Sequence, residues 1–205
     1  MKNSLFVSAV AGVTFLSLLS GPVQSGPDPV SVSPMTFVPF MGAATEAQAE
    51  SQVGQTASDA STQAIVDSLE AARAFCAALT EDQFTVDCLS ERLETAALAM
   101  PQVGDYAQAR TAILDASAKL RQIARDNRDT AKPRGTASRG GTVTSRPLVA
   151  VTRASLPSAL AQAAAVLQET ETLLLRSTSG TDRRRSHYTR IAAAVGSSKV
   201  LLRSL

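Results

Sequence analysis

Residues 62–79, TQAIVDSLEAARAFCAAL, set Ile65, Leu69, Ala72, Cys76 and Leu79 at intervals of four, three, four and three. These intervals follow the 3.6-residue helical period, so the five side chains share one face of an amphipathic helix. Val53, Ala57, Ala60 and Ala64 extend that face back toward Glu46 with smaller side chains, and Gly54 weakens it there. Thr80-Glu81-Asp82-Gln83 has the Ser/Thr-x-x-Glu/Gln form of a capping box, which ends the first helix near Leu79.

The same rhythm recurs downstream. Val86, Leu89, Leu93, Ala97 and Met100 form the stripe of a second helix from about Asp87 to Met100, stopped by Pro101 and Gly104. Asp105 is placed to cap a third helix reaching about Arg128, with Tyr106, Ala109, Ile113, Ala116, Leu120 and Ile123 as its stripe. Its alternating threes and fours have coiled-coil spacing, over too short a run to specify one. Ser155 and Pro157 open a fourth helix, to about Arg176, striped by Leu156, Leu160, Ala163, Leu167, Thr170 and Leu174. A fifth runs from Asp182 to the end, with Tyr188, Ile191, Val195, Ser198 and Leu202 in register. The expected fold is all-α, an Ala-rich bundle of four to five helices. It is organised as a three-helix region over 46–128 and a helical hairpin over 155–205.

Between these blocks, residues 129–154 (DTAKPRGTASRGGTVTSRPLVAVTRA) mix prolines, glycines and Ser/Thr with basic residues, the composition of a flexible basic linker. Only Leu148-Val149-Ala150-Val151 has the character of a short strand or an anchor.

The N-terminus reads as an export signal. Lys2 is followed by an uncharged apolar run, Leu5 to Leu19, then Ser20-Gly21-Pro22 and the small residues around Ser25. That order is a secretory signal over residues 1–25, and the run is shorter than the ~20 residues of a membrane-spanning helix. The Pro-rich stretch 26–45 reads as a disordered leader. The expected address is periplasmic or secreted, with no transmembrane segment in the mature chain. In an oxidising compartment Cys76 and Cys88, the only two cysteines, are expected to pair across the first helical turn. One detail opposes this: Cys76 lies on the first stripe, whereas Cys88 lies opposite the second.

Charge is divided. Ten acids lie in residues 46–100 against Arg73 and Arg92, whereas residues 101–205 carry seventeen Lys/Arg against seven acids. The halves can attract each other, within the chain or between copies, or the basic half can meet an anionic partner. The candidate anion-binding residues are Lys132, Arg134 and Arg139 in the linker, and Arg183, Arg184, Arg185 and Arg190 in the last helix. Arginine forks suit phosphate or carboxylate. Aromatic residues interleave these basic residues only at Tyr188, so nucleic acid is not expected.

No motif for a hydrolase nucleophile, a nucleotide loop or covalent haem occurs, and no cofactor or metal is expected. The lone His187 reads as a surface helix residue, and Glu91/Glu94 and Glu169/Glu171 as solvated carboxylates. The sequence therefore points to an exported, non-catalytic interaction protein of the cell envelope. Self-association or a protein partner comes first, and an anionic surface or polymer second.

Overall fold

A computed structural model of the protein describes residues 56–177 and 182–205. The expected signal peptide, the Pro-rich leader and the earliest part of the first helical region lie outside the described residues. The chain forms α1 (Asp59–Ala77), α2 (Thr85–Leu98), α3 (Ala107–Asp126), α4 (Leu156–Arg176) and α5 (Asp182–Ser204). Short 3-10 turns, Asp82–Phe84 and Gly104–Tyr106, precede α2 and α3, and a small hairpin, β1 (Ser138–Arg139) with β2 (Thr142–Val143), lies between α3 and α4.

The expected stripes build the core. Ile65, Leu69, Leu89, Leu93, Ile113, Leu120, Leu167, Leu174, Ile191 and Val195 are all buried. Each helix packs on its successor, and α1 closes against α5, so the five form a ring. α4 and α5 run antiparallel, with Lys199 reaching Glu171 while Leu202 lies beside Leu160. The approach is tight: a Cβ on Gly196 would stand 3.0 Å from the Glu171 carboxylate. The helical regions before and after the linker thus share one core.

Two expected caps are used differently. Ser58 caps α1, its hydroxyl accepting from the Ser61 amide at 3.1 Å. The capping box at Thr80 does not form: neither Glu81 nor Phe84 makes a side-chain cap bond, and the Gln83 side-chain amide donates instead to the Val151 carbonyl at 2.7 Å. Asp105 lies inside the 3-10 turn, and its carboxylate accepts from the Ala57 amide at 2.9 Å, fastening the approach to α1.

The largest departure concerns residues 129–154. In place of a flexible linker, the segment is a folded loop hydrogen-bonded over its length. Its ends are joined by Asp129 N–H to Ala150 O and Thr152 N–H to Asn127 O, and its middle by reciprocal bonds between Gly135 and Leu148. Gly140 and Gly141 both adopt positive φ in the two-residue hairpin turn, a conformation that suits glycine and matches the strand twist. Leu148, Val149, Ala150 and Val151 are buried, as suits an anchor.

Candidate functional site

The loop is held by the polar side of α2. Asp87, Glu91 and Glu94 recur at helical spacing opposite the apolar stripe, so they rise from one face. Asp87 is fully buried, and its Oδ2 accepts from Arg146 Nη1 at 2.8 Å and from the Val149 amide at 2.7 Å. Arg146 also donates to Ser90 Oγ at 3.1 Å. Glu91, expected in solvent, is fully buried as well. It is paired with Arg92 and accepts from the Ser145 amide at 2.8 Å and hydroxyl at 2.7 Å. Burial pushes the Glu91 carboxyl upward, but the bonds from Arg92 and Ser145 outweigh it and hold the group below its ordinary value. These carboxylates organise the loop: acid from the first half of the sequence meets base from the second.

The disulfide joins Cys76 of α1 to Cys88 of α2 with a Cα–Cα distance of 5.8 Å. Cys88 can lie off the apolar stripe because α2 is enclosed: every residue from Thr85 to Leu93 is buried. Arg92 lies over the Phe75 ring, 5.0 Å from its centroid, beside this joint.

The basic residues divide into two groups at opposite ends of α1, separated by roughly 28 Å of helix. At its first turns Arg190 reaches Asp59 at 3.1 Å and also donates to Gln63. Arg185 pairs with Asp182, and Arg184 donates to Gln108 and lies over the Tyr188 ring, while Arg183 is exposed. Most of this group is thus engaged within the chain. At the other end Lys132 pairs with Glu81, donates to Gln83 Oε1 at 3.0 Å and stands 5.4 Å from the Phe84 centroid. Arg139 is exposed on β1.

Arg134 differs. It borders a recess of about 90 Å³ together with Arg121 and Arg125 of α3, Arg146, Pro147, Val149 and Asp87. Arg121 and Arg125 stand one helical turn apart on the same side of α3. Among the described residues the side chains of Arg121, Arg125 and Arg134 make no hydrogen bond or ion pair. Arg121 and Arg125 are not among the candidates read from sequence; their i, i+4 spacing is the signal that would have paired them, but the recess exists only once the loop folds back over α2 and α3.

Two further features are structural. His187, expected at the surface, is buried; its Nδ1 lies 2.8 Å from Thr62 Oγ1, itself 2.7 Å from Tyr106 Oη. The Tyr106 hydroxyl also accepts from the Ser58 amide and donates to the Ser58 carbonyl. Thr62 and the nearest carboxylate, Asp59 at 3.9 Å, both face Nδ1, so the ring does not stand between hydroxyl and acid as a nucleophile's base must. The cluster ties α1, α3 and α5 together. An apolar groove of about 620 Å³ lies between the start of α4 and the end of α5, lined by Leu156, Leu160, Leu202 and Leu205 among others. Among the described residues, no group of three or more His, Cys, Asp or Glu is placed to hold a metal, and no helix is long and apolar enough to cross a membrane.

No family model matches the chain, and neither a curated protein nor a solved structure matches it.

Proposed function

We propose that this is an exported, non-catalytic protein of the cell envelope or exterior that works by interaction, and that its ligand is anionic. The observation that carries the reading is the arginine recess. Three arginines without internal partners line one concavity, while comparable cations at the far end of α1, Arg190 and Arg185, are engaged by the chain's own acids. Cations held close together repel, and an anion relieves that repulsion. Export is supported by the Cys76–Cys88 disulfide, a bond that persists outside the cytosol, and by the apolar run after Lys2.

The test has two parts. Fractionation of cells producing the tagged chain is expected to find it outside the cytosol, shortened near Gly26 and with both thiols oxidised. Recovery of the intact, reduced chain from cytosol refutes the export reading. Binding of the purified chain to anionic vesicles is expected to fall steeply with ionic strength. Salt-independent binding, or a stable oligomer with no affinity for anions, favours association with a protein partner or a second copy instead.

A further inference from the structure

We infer that the recess between α3 and the 129–154 loop is a binding site for a phosphate group. The inference rests on the anion-binding reading for the sign of the ligand's charge, and goes beyond it in naming the place and the chemistry. Four arginines line the recess and one acid, Asp87, joins them. Asp87 is matched already: its Oδ2 holds Arg146 and the Val149 amide, so it fixes the direction of the Arg146 fork. Arg146 is therefore oriented before any ligand arrives. Arg121 and Arg125 come from a regular helix and Arg134 from a loop segment whose neighbour Gly135 is bonded to Leu148. The backbone of the site and Arg146 are thus fixed before binding, and the ordering cost falls on the side chains of Arg121, Arg125 and Arg134.

The size and donor count select the ligand class. A recess of about 90 Å³ suits one compact group or the end of a larger molecule. Each guanidinium presents five N–H donors in a planar fork. A carboxylate has two oxygens and one charge, few for three unpartnered arginines supplied by two elements. A phosphate monoester carries about −1.5 to −2 charge near neutral pH and three terminal acceptor oxygens, which the forks can meet from different sides. The phosphate can come from a free ion or from a lipid headgroup.

The full chain with its disulfide intact is titrated with inorganic phosphate and pyrophosphate by calorimetry, and separately with vesicles of phosphatidic acid, whose headgroup is a phosphate monoester, and of phosphatidylcholine. Arg121→Gln/Arg125→Gln is compared with the parent. Neither side chain makes a bond in the free protein, so the variant is expected to keep its circular dichroism and melting temperature. It is expected to bind at least ~10-fold more weakly, since each charge-assisted bond contributes more than a tenfold factor. Arg183→Gln/Arg185→Gln, altered at the other end of α1, is expected to bind like the parent. Saturable pyrophosphate or phosphate binding that needs Arg121 and Arg125 supports the inference, with a free phosphate as ligand. Phosphatidic acid binding that needs the same arginines and is displaced by pyrophosphate supports it, with a headgroup as ligand. Vesicle binding indifferent to Arg121 and Arg125, with no phosphate binding, overturns the inference and leaves the anionic-surface reading standing. Absence of binding to any of these anions overturns both.

Discussion

The two basic regions of this molecule look alike as strings of letters and differ as structures. Around Arg183–Arg190 the charges are dense in sequence, and three of the four arginines have partners: Asp182, Gln108 and Tyr188, and Asp59 with Gln63. Around the 129–154 loop the charges are sparse in sequence, but folding gathers Arg134 and Arg146 with Arg121 and Arg125 from α3. Density along the chain therefore does not measure availability. What decides is whether the fold brings an acid to each base. The buried acids of α2 take up Arg146 and Arg92 and leave the recess with three cations unmatched.

The comparison can be tested by removing members of each region. Asp87→Ala should do the greatest harm, about 4 kcal/mol of unfolding free energy, because it strands the largely buried Arg146 and frees the Val149 amide. Urea denaturation measures it, and a cost below 1 kcal/mol would show that α2 does not organise the loop. Cys76→Ser/Cys88→Ser, or reduction of the parent, should remove about 3 kcal/mol, seen as a lower melting temperature. Glu91→Gln should cost about 2 kcal/mol through weakened bonds to Arg92 and Ser145. The pH dependence of the parent has a definite sign. Because the folded state holds Glu91 below its ordinary value, its contribution is complete above the unfolded value and is lost as pH falls through the folded one. An acid titration of the melting temperature should decline over that range, and Glu91→Gln should flatten the decline. Arg190→Ala, at the opposite end, should change stability by only about 0.5 kcal/mol, since its partner Asp59 is almost wholly exposed. If Arg190→Ala cost as much as Asp87→Ala, the contrast between the regions would be false.

Much of the helical architecture was legible from local spacing. The stripes of α2, α4 and α5 lie in the core at nearly every named position, and the helix ends fall within a few residues of their signals except at the start of α1, which begins at Asp59 after an extended Ser58 although the apolar spacing runs back through Ala57. What was not legible depends on contacts between distant residues. Asp87 meets Arg146 across 59 positions and Glu91 meets Ser145 across 54, so neither carboxylate announces its burial in its own helix. A loop rich in Gly, Pro and Ser has the composition of a tether, yet Gly140-Gly141 makes a specific turn and Leu148 to Val151 an anchor. His187 falls one position from the Tyr188 stripe. It is buried because α5 is covered by α1 as well as α4, which a single-helix pattern does not contain. Of the unpartnered arginines at the recess only Arg134 stood out in the sequence; Arg121 and Arg125 did not, because the loop that joins them to it closes only on folding.

Ring closure has a kinetic consequence. Four of the five helix interfaces join neighbours along the chain, three of them across short connections and α3–α4 across residues 127–155. The fifth joins α1 to α5 and brings Thr62 to His187 across 125 positions. Closing that seam costs more chain entropy than joining any neighbouring pair, which favours its forming after them. A substitution at Thr62 should therefore speed unfolding while leaving early collapse of the helical pairs untouched.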